Sequence, residues 1–559
     1  MKQFRLLFIF TLFIAAGMTW SFKEDLFQIS KNLDIFASLY KEVSINYVDE
    51  TNPSDLMRTG IDAMLDNLDP YTEYVPESEI EDYKLKYVST QYGGIGASTV
   101  FIDGKLYIND LVEGYPAYKS DLRSGDQLVK IDGAEVKGKD RKDISLLLRG
   151  PKGSQVELLM IRDGSVITKK LTRDEIKQPN VKYSGMLADN IGYIRLDKFL
   201  ENSAQEVKDA AVVLGKSKPA GMILDLRYNG GGILQEAVKI VNLFVNKDVL
   251  VVTQKGRNPQ KTMAYKTTSQ ALFPDVPVVV LISGSSASAS EIVAGALQDL
   301  DRAIVVGQRS YGKGLVQQSF SLPYNSLVKV TVAKYFTPSG RCIQAVDYAH
   351  RDENGKTVKF ADSSITRFST RAGRNVYNSN GIYPDVVVEP VKYSEITNSL
   401  LSKNLLFDYA NSYKRNNKAI AEAGVFQLND KDYAAFVASL SGKDYAYSSN
   451  ADRLLSDIRT SAEKDGKLAL VKKDLELLKE KLVGTPEKEL LSNKEEIKRI
   501  LESQIVGRYY YDRGRIVNGF RYDKDVAAAR SVINNAGKMM AILKGEGEYH
   551  TIGNPLKLK

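Results

Sequence analysis

Two short apolar runs, each followed by small residues, most constrain the fold of this 559-residue chain. The first run is Val278–Ile282 and the second is Ile304–Val306. A short apolar run bounded by turn formers is typical of a buried strand. Small residues fill positions 283–290, and a helical pattern then runs from Glu291 to Leu300. This stretch predicts a strand that feeds a helix through a tight turn, with a hydroxyl exposed beside N–H groups that can stabilise an oxyanion.

A serine at such a turn needs a base to act as a nucleophile. The chain has two histidines, His350 and His550, and neither lies in a motif with carboxylate and serine partners. A Ser-His-Asp triad is therefore not expected. Lys313 is the alternative base, because burial in an apolar pocket can make a lysine amine neutral. It lies between Gly312 and Gly314, just after the second apolar run.

The residue types alone leave alternatives open at both places. Ser286, Ser288 and Ser290 are equally nucleophilic on composition, and a run of small residues is also typical of a loop or a helix N-cap. The segment from Gly307 to Gly314 matches the phosphate-binding pattern G-x-x-x-x-G-K. Gly314, however, stands where a magnesium-holding Ser or Thr belongs, and the chain after it looks extended rather than helical. Nucleotide binding is therefore disfavoured.

The two motifs together resemble the C-terminal processing peptidases, serine proteases that use a Ser-Lys dyad. The resemblance rests on Ser-Ala-Ser-Ala-Ser-Glu at 286–291 followed by Tyr-Gly-Lys-Gly-Leu-Val-Gln at 311–317. It implies that Ser288 is the nucleophile, that Lys313 is the base, and that Gln317 holds the lysine.

An oxyanion hole is also implied by the resemblance. The run Asp-Leu-Arg-Tyr-Asn-Gly-Gly-Gly at 225–232 is similar to the family segment that supplies half of this hole. The implied donors are the N–H of Gly232, with Gly231 as the nearby alternative, and the N–H of Ala289.

Residues 90–173 resemble a PDZ domain. Tyr92-Gly93-Gly94-Ile95-Gly96 looks like its carboxylate-binding loop, whose N–H groups would receive the terminal carboxylate of a peptide. The order of three further landmarks supports the resemblance: Tyr115-Pro116-Ala117, Gly125-Asp126 and Ile131-Asp132-Gly133. The implied partners are protein or peptide substrates with apolar C termini.

Alternating strand and helix patterns after residue 180 predict an α/β layered domain. With the resemblance, the expected fold is a ClpP/crotonase-like α/β catalytic core with an inserted PDZ domain, N-terminal helices and a helical C-terminal region. The predicted segments are a signal peptide or signal anchor at 1–22, an N-terminal helical region at 23–89, a PDZ domain at 90–173, the catalytic core at 174–390 and a helical region at 391–559.

Charge and composition limit the other partners. The net charge of +8 arises from 77 basic and 69 acidic residues that are spread widely, so nucleic acid is not expected. One cysteine, Cys342, excludes an intrachain disulfide, and the implied chemistry requires no cofactor. Residues 391–559 could form a helical cap, a surface for homo-oligomers or a site for an adaptor protein.

The N-terminal segment predicts export. Lys2 and Arg5 precede an apolar run from Leu6 to Ala16, which is the pattern of a secretory signal. The expected location is the periplasm or cell envelope, with anchoring in the membrane by an uncleaved segment as the alternative.

The implied reaction is endoproteolysis near the C termini of exported proteins. A non-catalytic PDZ scaffold in the envelope is the first alternative. Acyl-thioester chemistry on a crotonase-like core is the second, and the export segment argues against it because coenzyme A thioesters are cytoplasmic metabolites.

Overall fold

The computed structural model describes residues 26–89, 91–353, 355–445, 447, 450–482 and 485–546. The predicted signal segment at 1–22 lies outside these ranges. None of the helices formed by the described residues is both long and apolar enough to span a bilayer. The chain divides into two compact units, one of residues up to 80 with 317–332, the other of residues 81–316 with those from 333 onward.

The first unit is a small helical region with a strand. It contains helix α1 at residues 26–46, α2 (Pro53–Asp66) and strand β1 (Glu73–Val75), which pairs antiparallel with residues 327–329. A turn lies at Asp69, where the carboxylate accepts the N–H groups of Tyr71 and Thr72 at 2.8 and 2.9 Å. Helix α3 (Ile80–Tyr87) then leads into the second unit.

The PDZ region is a six-stranded antiparallel sheet with two helices, in which the short strand β6 pairs with β5 beside the main path. Its sheet has the order β3-β4-β5-β7-β8, so β3 is an edge strand, and β2 pairs separately with β9. On α5, Ile144 and Leu148 turn into the core, as the helical spacing predicts. The elements are β2 (Gln91–Gly94), β3 (Ala97–Ile102), β4 (Lys105–Leu111), α4 (Pro116–Lys119), β5 (Gln127–Ile131), β6 (Ala134–Glu135), α5 (Arg141–Leu148), β7 (Gln155–Arg162), β8 (Ser165–Thr172) and β9 (Asp174–Lys177).

The catalytic region is built on a six-stranded sheet of order β10-β11-β12-β15-β16-β23, parallel except for β10. The elements are β10 (Val181–Leu187), β11 (Ile191–Leu196), α6 (Ser203–Gly215), β12 (Gly221–Asp225), α7 (Leu234–Asn242), β13 (Leu250–Gly256), β14 (Met263–Lys266), β15 (Val278–Ile282), α8 (Ala289–Asp299), β16 (Ile304–Gly307), β17 (Leu315–Leu322), β18 (Ser326–Phe336), β19 (Val346–Arg351), β20 (Thr357–Lys359), β21 (Arg367–Ser369), β22 (Asn375–Tyr377) and β23 (Val386–Val387).

The C-terminal region is helical, as predicted. The helices are α9 (Glu395–Ser402), α10 (Leu405–Asn416), α11 (Asp430–Ser439), α12 (Asn450–Lys464), α13 (Leu468–Leu482), α14 (Pro486–Ser492), α15 (Lys494–Gly519), α16 (Lys524–Ile533) and α17 (Ala536–Leu543). Helices α9–α11, α14 and α15 share a core that includes Phe436 and Leu501. On the α12–α13 hairpin, Leu454 and Leu470 remain exposed.

The last two helices form a layer of the catalytic core. Strands β12 and β15 are buried along their whole length, and a parallel sheet of this kind must be covered on both faces. Helices α6–α8 cover one face. Val532 and Ile542 of α16 and α17 pack with Ile223 and Val279 on the other.

Candidate active site

Three loops meet at the carboxyl edge of the catalytic sheet. Strands β12, β15 and β16 are adjacent and parallel, so their carboxyl ends lie at the same edge. The loops that follow them carry Gly232, Ser288 and Lys313 respectively. Ligands of α/β sheets bind in crevices at this edge, so the sheet gathers all three elements of the predicted site at a place suited to chemistry.

Ser288 lies in a strained backbone conformation. Its φ of 54° and ψ of −113° are rare for a residue with a side chain, and it immediately precedes α8. A nucleophile on a sharp strand-to-helix turn of this kind holds its hydroxyl away from the sheet. Such strain persists only where the surroundings fix it, and it concentrates at active sites.

Glu291 connects the turn of the serine with the turn of the lysine. Its side chain is fully buried and accepts hydrogen bonds from the N–H groups of Ser288, Gly312 and Lys313 at 2.8, 2.7 and 2.9 Å and from the Ser310 hydroxyl at 2.5 Å. Burial raises the pKa of the Glu291 carboxyl to about 7, although the four donors favour its ionised form. This role is not among those predicted from the sequence. The signal in the sequence is a glutamate in the first turn of a helix, which is equally typical of a helix N-cap.

The shared carboxylate fixes the distance between the two turns. The N–H groups of Ser288 and Lys313 donate to the same Glu291 oxygen, Oε2. Their nitrogens therefore cannot be farther apart than these two hydrogen bonds laid end to end. Ser288 and Lys313 are both half-buried. The structure thus brings the backbones of the two residues close together, and the roles of their side chains stay predictions.

The structure separates the three serines that composition left equivalent. Ser286 and Ser290 are fully buried, and their hydroxyls donate to the carbonyl oxygens of Leu226 and Asn229, both at 2.8 Å. These two hydroxyls hold the glycine-rich loop against the serine turn. Ser288 is more exposed than either of them.

The glycine-rich loop brings two N–H groups to the serine turn. Gly231 packs so closely that a Cβ on it would lie 2.8 Å from the nitrogen of Ala289. The N–H of Gly231 donates to Asn229 Oδ1 at 2.9 Å, so this alternative oxyanion donor already has an acceptor. Within the described residues, neither the Gly232 nor the Ala289 N–H has an acceptor. These two groups are therefore the ones left available for an oxyanion.

Asp225 and Arg227 tie this edge of the sheet to the C-terminal region. The buried Asp225 carboxylate accepts from Tyr193 Oη at 2.5 Å and from Arg227 Nη2 at 2.6 Å. Burial alone would raise the pKa of Asp225, but the charge and hydrogen bonds of Arg227 hold it below its ordinary value. The other side of the guanidinium reaches Asp523 at 2.7 Å and Asp525 at 2.8 Å, at the start of α16. No local signal in the sequence predicts that contact.

Buried residues beyond residue 330 hold the C-terminal end of helix α8. Arg341 is fully buried and forms hydrogen bonds with Asp299 and Gln298 at the last turn of α8, at 2.7 and 2.8 Å. Asp385 accepts from Gln298 at 3.0 Å and pairs with the buried Arg374 at 2.8 Å. These buried ion pairs and hydrogen bonds therefore anchor the C-terminal end of α8.

The segment after the lysine turn is a strand. Strand β17 begins at Leu315, as the extended pattern predicts, whereas a phosphate-binding loop would continue into a helix. Gln317 lies on this strand, and its Nε2 donates to Thr331 Oγ1 at 3.1 Å. No observation tests its predicted contact with the lysine amine.

The predicted carboxylate-binding loop divides into a strand and a turn. Tyr92, Gly93 and Gly94 belong to β2, and Ile95 and Gly96 form the turn into the edge strand β3. Gly96 has a φ of 75°, which a residue with a side chain rarely adopts. The turn is held to α4 because the Ile95 carbonyl accepts the N–H of Ala117 at 2.8 Å.

Three family models match the chain in the order of its regions. They are a PDZ domain at residues 93–172, peptidase family S41 at 190–350, and the C-terminal helical domain of a probable PDZ-protease at 396–533. These matches confirm the expected fold: an α/β S41 core with a PDZ insertion, N-terminal helices and a C-terminal helical domain. PDZ domains bind the C termini of peptides by adding them as a strand to a sheet edge.

Known carboxy-terminal-processing proteases resemble the chain over most of their own length. It is 34% identical to a carboxy-terminal-processing protease of Bartonella bacilliformis over 56% of this chain and 73% of that protein. It is 32% identical to the carboxy-terminal processing protease CtpA of Bacillus subtilis over 60% of this chain and 71% of that protein. A solved structure of the photosystem II D1 C-terminal processing protease is 28% identical, with a TM-score of 0.34, over 64% of this chain and 92% of that one. The chain therefore belongs to peptidase family S41 and is a serine protease of the carboxy-terminal-processing type.

Proposed function

We propose that the chain cuts exported proteins near their C termini, with Ser288 as nucleophile and Lys313 as general base. The observation that carries this assignment is the Glu291 carboxylate, whose one oxygen accepts the N–H groups of both residues. A nucleophile and its base must come within hydrogen-bond reach, and a shared buried anchor supports that approach.

The proposed reaction has two steps. Ser288 Oγ attacks the scissile carbonyl carbon and passes its proton to a neutral Lys313 amine, which then protonates the leaving amine as the C–N bond breaks. Lys313 next takes a proton from the water that attacks the acyl-enzyme, and it returns this proton to Ser288 Oγ as the ester bond breaks and the acid product leaves. Gln317 orients the lysine amine; this role rests on the resemblance alone.

The oxyanion of each tetrahedral intermediate is held by two backbone donors. The N–H groups of Gly232 and Ala289 are the proposed pair, and their lack of other acceptors within the described chain supports this role. Each such donor lowers the barrier by roughly 3 kcal/mol. All proposed steps use side chains and N–H groups of this chain, without a cofactor.

The substrate is proposed to enter through the PDZ domain. The backbone of Tyr92, Gly93, Gly94, Ile95 and Gly96 would receive the terminal carboxylate, and the free edge of β3 would take up the peptide as an added strand. The preference for substrates with apolar C termini rests on the resemblance alone.

The location in the periplasm or cell envelope is proposed from the sequence of the N-terminal segment alone. Fractionation of cells that produce the chain with and without residues 1–22 tests it, and equal amounts in the cytoplasm for both forms would reject it. A surface for a second copy or an adaptor in residues 391–559 also stays a prediction; the exposed Leu454 and Leu470 support it, and light scattering of the purified chain checks it.

The assignment of the nucleophile is tested by incubating variants with an unstructured protein that has an apolar C terminus and reading the products by mass spectrometry. Ser288→Ala should abolish cleavage and keep binding of the tail peptide. The matched control is Ser285→Ala, an exposed serine of the same turn, which should cleave at the wild-type rate. Full turnover by Ser288→Ala would reject the nucleophile, and tail binding without any hydrolysis by the wild type would favour the scaffold alternative.

A further inference from the structure

A cavity of about 550 Å³ lies between the PDZ domain and the C-terminal helical domain. Its PDZ wall includes Tyr118 of α4 and the loop that follows, and its helical wall includes residues of α10 and α15. Cavities of this size accommodate small molecules, and they occur preferentially at domain interfaces. The proposed carboxylate loop at residues 92–96 does not line it.

The cavity has an excess of positive charge. Its three acidic residues are already paired with arginines: Asp121 with Arg123 at 3.0 Å and Asp126 with Arg162 at 2.7 Å on the PDZ wall, and Asp163 with Arg415 of α10 at 3.3 Å between the two walls. The cations that remain are Lys414, Lys418 and Arg508, and none forms an ion pair with a carboxylate within the part of the chain that is described. Two of them contact aromatic rings: Lys414 Nζ lies 3.5 Å from the ring centroid of Tyr509, and the Arg508 guanidinium lies 4.7 Å from that of Phe407.

Arg508 is buried with one nitrogen unused. The residue is 8% exposed; its Nε donates to Asn411 at 2.8 Å and its Nη1 to the Gln504 side chain at 3.1 Å. Among the described residues, Nη2 has no hydrogen-bond partner. Burial lowers the pKa of Arg508 to about 10, and burial together with the charge of Arg123 lowers that of Lys414. The fold therefore holds these cations where an anion would relieve their desolvation.

The walls of the cavity are defined rather than loose. Tyr511 interrupts the long helix α15 with a φ of 54°, and its ring meets that of Tyr118 edge-on at 5.7 Å. A bulky residue at positive φ is uncommon and is held by its surroundings. At the rim, a Cβ on Gly125 would lie 2.6 Å from Asn411 Nδ2, so the two domains touch closely there.

We propose that this cavity binds a small, multiply charged anion of the phosphate or polycarboxylate class, which bridges the PDZ domain and the C-terminal helical domain. The Arg508 guanidinium supplies the planar donor that suits an oxyanion, and Lys414 and Lys418 supply point charges. The ligand adds the acceptor that the cavity lacks. The site is separate from the peptide-binding and catalytic residues, so it can be tested whether or not the proposed function holds.

The test is calorimetric titration of the full chain with pyrophosphate and with citrate, at ionic strength balanced by sodium chloride. The wild type should bind one anion per chain with a dissociation constant below about 1 mM. A Lys414→Gln/Lys418→Gln variant should bind at least about 10-fold more weakly. The control Lys208→Gln/Lys216→Gln removes one exposed lysine of α6 and the exposed lysine that follows this helix, and it should bind as the wild type does.

A second readout guards against a variant that misfolds. Saturating pyrophosphate should slow hydrogen exchange of the backbone in residues 411–418 and 504–511 of the wild type. The proposal is overturned if the wild type shows neither heat nor slowed exchange with either anion, or if the lysine variant binds as tightly as the wild type.

Discussion

The carboxyl edge of the catalytic sheet and the cavity between the PDZ and helical domains differ in whether a buried charged group has all its hydrogen-bond partners. At the sheet edge, the Glu291 carboxylate is fully buried and accepts four hydrogen bonds. In the cavity, Arg508 is nearly as buried but leaves Nη2 without an acceptor among the described residues. A fully satisfied buried group fixes a geometry, whereas a group that lacks a partner marks a place that a ligand can complete. The first arrangement suits catalysis and the second suits binding.

The largest effect on this contrast is expected from Glu291→Gln. The glutamine side chain has only one acceptor oxygen, and its NH2 group would face N–H groups that now donate to the second carboxylate oxygen. The turns of Ser288 and Lys313 should therefore move apart. We expect kcat/KM to fall by about 100-fold, the effect of a small misplacement of reacting groups. The control is Glu502→Gln, a buried glutamate of α15 that accepts from Leu428 and Tyr522; it should lower stability and leave kcat unchanged. Equal kcat losses in the two variants would show that Glu291 only stabilises the fold.

The pH dependence of stability sharpens the same point. Burial raises the pKa of Glu291 to about 7, so the folded state binds this proton more tightly than the unfolded state does. The free energy of unfolding should therefore fall as pH rises through the window between the ordinary glutamate value and about 7, by roughly 3 kcal/mol relative to Glu291→Gln. Urea unfolding of both proteins across pH 4 to 8 measures this difference. Plots of unfolding free energy against pH that run parallel for the two proteins would contradict this prediction.

How far the sequence reaches is visible in these residues. The apolar and small residues around Ser288 predict its strand, turn and helix from local sequence. The glycines on both sides of Lys313 predict the second turn in the same way. The choice between Ser286, Ser288 and Ser290 was open on composition, because exposure depends on which carbonyls lie nearby. The hydroxyls of Ser286 and Ser290 point to Leu226 and Asn229, which belong to another loop.

Contacts between distant segments lie beyond such reasoning. Asp523 and Asp525 look like the acidic start of an ordinary helix, and nothing near them in sequence names Arg227 as a partner. The need for a second layer on the sheet follows from its buried strands, but the identity of that layer does not. The charge of the cavity likewise arises from separate domains, so its excess becomes visible only when α4, α10 and α15 are brought together.

An intermediate effect is expected where the C-terminal helices hold the active-site strand. Asp523→Asn/Asp525→Asn removes two carboxylates from Arg227 but leaves Asp225 and the helix cap. We expect a loss of about 2 kcal/mol in stability and about 10-fold in kcat. The control Asp189→Asn breaks the exposed pair with Arg530 on the same helix and should leave stability nearly unchanged, because solvent screens this pair. If both variants kept full kcat, the C-terminal helices would cover the sheet without positioning its edge.

The smallest effect is expected in the cavity and has the opposite sign. Without a bound anion, Lys414→Gln removes a cation whose pKa is lowered by burial and by the charge of Arg123. The loss of its contact with the Tyr509 ring, whose centroid lies 3.5 Å from Nζ, offsets part of this gain, so the free energy of unfolding should rise only slightly. Saturating pyrophosphate should reverse the order, because the wild type then gains a ligand that the variant holds less well. Thermal unfolding with and without pyrophosphate measures both differences in stability. If Lys414→Gln were less stable than the wild type without the anion, the cavity would not differ from the sheet edge in this respect.

The central claim is that the fold brings Ser288 and Lys313 together to make one serine reactive. The most direct measurement is the rate at which a fluorophosphonate, which reacts with activated serines, labels the wild type and Lys313→Met, with the labelled peptide mapped by mass spectrometry. We predict labelling at Ser288 and not at Ser286 or Ser290, and a rate at least about 100-fold lower in Lys313→Met. Labelling at another serine, or an unchanged rate at Ser288 without the lysine, would contradict the account.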